Sequence, residues 1–360
     1  MRSESAFRRT GKRALVGCFL VGLGMVIAWP SVLGGVAPWS DALAPEDPAE
    51  STIRRGDVTV TPAFESLHRR RVTGSGVDVG VLDVTGFDAD HPAVSGRIDA
   101  SRAFGDAAVD DGEPPRHGTA VATALGRLAP DASLHLAVAH DADGVVAAAE
   151  WLAERDVDVV VAPFNSLGAP DDGTSQVSRA LSRLRAEDVV VVASAGNFGR
   201  SHWAGRLAPT EDGRHRFGAN ATRNRVYPAP WAGTRPTTAD VWLTWNGSRF
   251  PRDLNLRLYR FSRDGRERVA TADRVSGGDN RREYLGVTLP AGQYYLVVDI
   301  PERSRPVADD VAPRIEVTAS GVTLDRTTPR GSVAAPATAP GVVGVGVALD
   351  EFDFVAVLVV

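Results

Sequence analysis

The chain has 360 residues, 43% hydrophobic and 24% charged, a balance that excludes a disordered or fibrous polymer and leaves room for two well-filled cores. The formal charge is −5. Residues 1–37 hold five basic residues and one acidic residue, a net of +4, which leaves −9 on the rest of the chain and argues against a reader of nucleic acid. Cys18 is the only cysteine, so disulfides, cysteine metal sites and a cysteine nucleophile are excluded from everything that follows it.

In chain order, Arg8, Arg9, Lys12 and Arg13 precede an apolar run from Ala14 to Trp29, closed by Pro30. This is the arrangement of a signal peptide or membrane anchor over residues 1–37. It implies export, an extracellular or cell-surface location, and contact of this segment with a membrane. Residues 38–73, rich in Pro, Ala and acidic groups, read as a linker or N-terminal extension.

From residue 74 the pattern changes. Residues 77–82, 133–138, 157–162 and 189–193 are Val-rich runs suited to strands buried on both faces of a parallel sheet. Between them, residues 117–128, 144–154 and 175–187 have the Ala/Leu spacing of helices. The alternation predicts an α/β fold with a doubly wound, mostly parallel sheet over residues 74–205. Beyond it the helical signals stop. Residues 241–245, 254–261, 266–271, 284–289, 294–300 and 314–317 alternate apolar and polar, with turn signals such as Arg263-Asp264-Gly265 between them. These strands predict an all-β sandwich inserted over residues 206–330. The Val-rich run at 341–347 then reads as a return to the parallel sheet within 331–360.

Three short motifs carry chemistry, at the strand ends where open α/β sheets build their sites. Val81-Leu82-Asp83-Val84-Thr85-Gly86 places a carboxylate at the end of a buried strand. Arg116-His117-Gly118-Thr119 opens a helix with a histidine able to act as a general base, and Gly118 leaves room for a substrate backbone. Ala193-Ser194-Ala195-Gly196-Asn197 sets a side-chain amide just past another buried strand, where it can donate to a developing oxyanion. Taken singly these have plainer readings: a turn or helix cap, an exposed histidine, a common turn.

Together, in this order and on this pattern, the three motifs resemble the subtilisin-like serine proteases, the subtilase family. The resemblance extends over about residues 74–203 and 331–350, including Asn165-Ser166-Leu167-Gly168 and the Pro336-to-Gly346 run. It implies a serine endopeptidase acting on polypeptides, in which Asp83 orients His117, His117 is the general base and then the general acid, and Asn197 completes the oxyanion hole. Ser166, Leu167 and Gly168 would form an edge strand that pairs with the substrate backbone. No cofactor is implied. Calcium is compatible with the family, with Asp141 and Asp143 offering carboxylates, although no metal-ligand spacing is present.

This chain departs from the family pattern at three points. Val84 adds a residue between Asp83 and Thr85-Gly86, which calls for a bulge to keep the carboxylate on His117. Ala120 stands where a second histidine is usual. No Gly-Thr-Ser-x-Ala-x-Pro segment occurs, Ser332 is a weak substitute for the nucleophile because Pro336 and Pro340 follow it, and the ending suggests a truncated core. The competing reading is therefore a catalytically dead subtilase-like surface protein that binds protein or glycan through its β-domain. A dinucleotide-binding oxidoreductase would need Gly74-Ser75-Gly76 to follow a strand, whereas these glycines precede one.

Overall fold

The computed structural model describes residues 62–110, 117–169, 171–228, 236–246, 253–262, 265–272, 280–304, 312–349 and 354–359. Residues 1–61, with the expected export segment and most of the expected linker, lie outside the described residues. The described chain divides into two compact units: one made of residues up to Ser166, Asp171–Gly196 and the part from Ala334 on, the other of Leu167–Pro170 and Asn197–Val333.

The first unit holds helices α1 (Pro62–Arg69), α2 (His117–Leu128), α3 (Ala142–Glu154) and α4 (Gln176–Ala186). Its strands are β1 (Asp78–Asp83), β2 (Ile98–Phe104), β3 (Ser133–Ala139), β4 (Val159–Ala162) and β5 (Val190–Ser194), followed late in the chain by Val342–Leu349 and Phe354–Val359. One sheet runs in the order Phe354–Val359, Val342–Leu349, β5, β4, β1, β3, β2. All its neighbours are parallel except the antiparallel edge strand Phe354–Val359.

Because successive residues of a strand point to opposite faces, each Val-rich run feeds two cores. Val79, Val81, Val159 and Val161 pack with Val121 and Leu125 of α2 on one face. Leu82, Val160 and Ala162 pack with Trp151 and Leu152 of α3 and Leu181 of α4 on the other. Each fully buried aliphatic side chain contributes about 1.5–3 kcal/mol, so the helices on both faces hold the ends of β1, β4 and β5 in fixed positions. Local signals set where the helices begin. Asp141 accepts from the Gly144 N–H (2.6 Å) at the start of α3, and Ser175 accepts from the Ser178 N–H (3.0 Å) at the start of α4.

Two elements correct the expectation. The described part of the stretch expected as linker contains α1, whose His68 lies 2.9 Å from the Leu128 carbonyl at the end of α2. Strand β2 was not foreseen, because it is a half-exposed edge carrying Asp99, Ser101 and Arg102 and lacks a continuous apolar run.

The second unit contains β6 (His202–Arg206), β7 (Asn224–Pro228), β8 (Thr237–Asn246), β9 (Asn255–Ser262), β10 (Gly265–Ala272), β11 (Asn280–Leu289), β12 (Tyr294–Asp299), β13 (Arg314–Ser320) and β14 (Val322–Leu324). They form a five-stranded sheet β10-β9-β12-β7-β14 and a four-stranded sheet β11-β8-β13-β6. Side chains of both sheets, among them Leu256, Tyr294 and Leu296 from one and Val241, Leu243 and Ile315 from the other, share one buried cluster. The unit begins at Asn197 rather than at 206, because β6 pairs with β13 and its Trp203 belongs to this cluster.

Candidate active site

The end of β1 and the start of α2 bring Asp83 and His117 together. His117 Nδ1 lies 2.7 Å from Asp83 Oδ2, and both side chains are buried. The other carboxylate oxygen, Oδ1, accepts from the Thr85 N–H and the Thr85 hydroxyl, each at 2.7 Å. The same hydroxyl accepts from the Gly118 N–H at 3.1 Å, so Thr85 ties the carboxylate to the first turn of α2.

Burial pushes the Asp83 pKa up, but the charge of His117 and hydrogen bonds from His117 and Thr85 outweigh it and hold the carboxyl below its ordinary value. Asp83 is therefore a carboxylate with no proton to donate. In neutral His117 the ring proton must then sit on Nδ1, which leaves the Nε2 lone pair free. Nε2 is buried and has no hydrogen-bond partner among the described residues. An orphaned buried nitrogen is costly and rare, and a catalytic role is one accepted reason for it.

The extra residue is absorbed without a bulge in the strand. Pairing of β1 with β3 is regular through Asp83, and Val84 turns its side chain into the cluster that contains Leu82. Thr85 is then returned to the carboxylate two residues before it. Gly118 has a reason other than the expected one: a Cβ there would meet the Gly86 carbonyl oxygen at 2.4 Å and the Phe87 ring at 2.9 Å, so the glycine lets α2 approach the loop after β1. The sequence showed Thr85 as part of a motif but not that it acts on both Asp83 and Gly118, a role that its offset from Asp83 could have suggested.

Asn197 precedes the short 3-10 turn Phe198–Arg200 of the second unit and is exposed. Residues 166–168 are not an extended edge. The Ser166 N–H donates to the Ala335 carbonyl (2.7 Å), Leu167 is 3% exposed, and Gly168 has φ +72°, where a Cβ would meet the Trp242 indole at 2.3 Å. One main-chain donor of this stretch is thus spent on Ala335, and the chain turns at the glycine. Asn165 beside them is buried and donates from Nδ2 to the Ser194 carbonyl (2.7 Å), fastening the ends of β4 and β5 together.

Ser332 lies in an irregular stretch of the second unit with no helix behind it. Ser175 does head a helix, α4, but its hydroxyl caps that helix and donates to the Ser178 hydroxyl at 2.9 Å. Asp141 is likewise used as a cap, and Asp143 accepts from Gln176 at 2.9 Å. Among the described residues, no group of three or more His, Cys, Asp or Glu side chains could hold a metal ion, and no helix is long and apolar enough to cross a membrane.

Residues 74–244 match the Subtilase family. Among curated proteins, the chain is 34% identical over 151 residues to Subtilisin BL of Lederbergia lenta, covering 38% of this chain and 53% of that protein. It is 32% identical over 147 residues to an Intracellular serine protease of Paenibacillus polymyxa, covering 35% and 43%. It is 32% identical over 180 residues to an Alkaline protease of Alkalihalobacillus alcalophilus, covering 42% and 45%. The chain thus spans about half the length of the curated relatives it matches. Among solved structures, it is similar to that of a lanthipeptide protease, with 23% identity, a TM-score of 0.32 and coverage of 38% of this chain and 44% of that one.

Proposed function

We infer that the subtilase-like stretch at residues 74–244 carries the acid–base half of a serine endopeptidase site, in an exported protein whose substrates are polypeptides. The observation that carries this reading is the Asp83–His117 pair, at 2.7 Å with Nε2 of His117 buried and unpartnered. Nε2 takes the proton of an attacking hydroxyl. The imidazolium that forms is stabilised by the Asp83 carboxylate, and the proton then passes to the leaving amine. The Asn197 amide is assigned to the developing oxyanion. The export part of the reading rests on the basic and apolar residues of the N-terminal segment.

A second reading, a peptidase-like scaffold without turnover that presents its β-strand unit for binding, is favoured by one observation: that unit has a buried cluster of its own, drawn from its two sheets.

Reaction of the chain with a fluorophosphonate, followed by peptide mapping and hydrolysis of a fluorogenic peptide library, separates the two. The peptidase reading expects one labelled serine and turnover that falls by about 10²–10⁴-fold in His117→Ala, the usual contribution of a positioned general base. Labelling that survives His117→Ala undiminished would remove the role given to that residue. No labelling and no turnover would leave the scaffold reading.

A further inference from the structure

Outside the Asp83–His117 pair, the unused chemistry of the molecule is concentrated on one face of the five-stranded sheet. Strand register places Arg268 opposite Tyr259, Tyr259 opposite Tyr295, and Tyr295 opposite Arg225, a row crossing β10, β9, β12 and β7 in sequence. With neighbouring strands about 4.8 Å apart, the two terminal arginines are anchored about 14 Å from each other. The rings of Tyr259 and Tyr295 stack, with centroids 5.4 Å apart and planes 12° apart, and Phe261 packs on Tyr295 at 4.7 Å. The guanidinium of Arg223 lies 4.9 Å from the Tyr295 ring centre, and that of Arg266 lies 5.9 Å from the Tyr259 ring centre.

Two acidic groups near this row are already engaged. Asp299 is held by Arg257 at 2.7 Å and Arg214 at 3.8 Å, and Asp325 accepts from the Tyr227 hydroxyl at 3.4 Å. Arg223, Arg225, Arg266 and Arg268 are exposed and have no acidic partner within ion-pair distance among the described residues. The charge is not a property of the whole chain: residues 197–333 hold 22 arginines against 15 carboxylates, a net of +7, whereas residues 74–196 hold 8 basic and 20 acidic residues, a net of −12.

We propose that this arginine–tyrosine face binds an anionic polysaccharide, with its acid groups paired to the unpartnered arginines and a sugar ring lying against Phe261, which is 36% exposed. Guanidinium groups laid on aromatic rings keep their N–H edges free for carboxylates, and they arrive pre-ordered, which lowers the entropy cost of binding. A single-stranded nucleic acid fits less well, because base stacking needs an open ring face. Here Tyr295 is 1% exposed, and Arg223 and Arg266 lie over the rings. An acidic peptide taken up as an added strand would use a sheet edge, whereas this row lies across the middle of a face.

The test uses the full chain and does not depend on peptidase activity. Its affinity for polygalacturonate is measured by calorimetry at low and high salt, beside neutral dextran, polyglutamate and a single-stranded oligonucleotide. The proposal expects polygalacturonate to bind most tightly, with affinity falling as salt rises. Arg225→Gln/Arg268→Gln should weaken binding about tenfold, whereas Arg183→Gln/Arg185→Gln on α4 should leave it unchanged. Should the first pair melt below the wild type, Arg223→Gln/Arg266→Gln carries the same expectation. Polygalacturonate binding no tighter than dextran would overturn the proposal, as would an equal loss in the α4 variant. Tighter binding of the oligonucleotide or of polyglutamate would replace the polysaccharide by that partner.

Discussion

Thr85 shows how one hydroxyl can connect a strand end to a helix start. It donates to Asp83 and accepts from the Gly118 N–H, so Thr85→Ala leaves a buried carboxylate oxygen short of one donor and a helix N–H without its acceptor. The cost is about 1–3 kcal/mol, and Thr85→Ser should restore most of it because the hydroxyl is kept. The pH dependence follows in sign. The folded pKa of Asp83 lies below its unfolded value, so its contribution to stability is complete above about pH 4 and is lost as pH falls through the folded value. Removing the Thr85 hydroxyl takes away one contribution that lowers this pKa, so acid unfolding of Thr85→Ala should begin at higher pH than in the wild type. Circular dichroism followed from neutral to acidic pH reads this directly. Coincident acid transitions for wild type, Thr85→Ala and Thr85→Ser would show that the hydroxyl does not hold the carboxylate.

At the scale of elements, the β-strand unit has its own titrating group. His215 is fully buried, its Nδ1 accepts from the Ala208 N–H at 3.1 Å, and its ring meets Trp203 and Phe217 edge-on at 4.8 and 5.0 Å. Burial pushes its pKa down to about 4, and protonating Nδ1 would also break the bond to Ala208. The unfolded chain takes up this proton near pH 6.5, so stability is lost between about pH 6.5 and 4, by about 3 kcal/mol in all. His215→Gln keeps an acceptor for Ala208 without the titration. Urea midpoints measured at about pH 7 and about pH 4.5 should converge in the variant relative to the wild type, and an unchanged difference would assign the acid sensitivity elsewhere. None of this was legible from the sequence, because no local pattern shows that the His215 ring is buried against Trp203 and Phe217. What was legible had a continuous physical signal. Strands β4 and β5 are unbroken apolar runs because both their faces are buried, and α2 follows its Ala/Leu spacing to the residue. Strand β2 alternates and carries charge, and α1 sits in a Pro- and acid-rich stretch, so neither stood out. Asp83 and His117 were found by motif, whereas the turn at Ser166–Gly168 depends on Ala335 and Trp242, partners remote in sequence that no local pattern announces.

On the scale of the whole molecule, the two units differ in architecture and in charge, and the point where one gives way to the other is open to experiment. Alternation placed the start of the second unit at residue 206, but β6 lies before that point and pairs along its length with β13. Trp203 on β6 is 8% exposed, donates from its indole N–H to the Phe217 carbonyl at 3.1 Å, and packs edge-on against Phe217 at 5.1 Å. A segment beginning at 206 would leave β13 as an unpaired edge and remove this indole from the shared core, at a cost of about 3–5 kcal/mol for a buried tryptophan. That is a large part of the 5–15 kcal/mol that holds a domain of this size together. Residues 197–333 expressed alone should therefore melt cooperatively with a β-type circular dichroism spectrum, whereas residues 206–330 should bind a hydrophobic dye and melt without a clear transition. Equal, cooperative melting of both segments would show that β6 is dispensable. Failure of the longer segment to fold would show that the β-strand unit depends on the α/β unit for its stability, in spite of having a buried cluster drawn from its own two sheets.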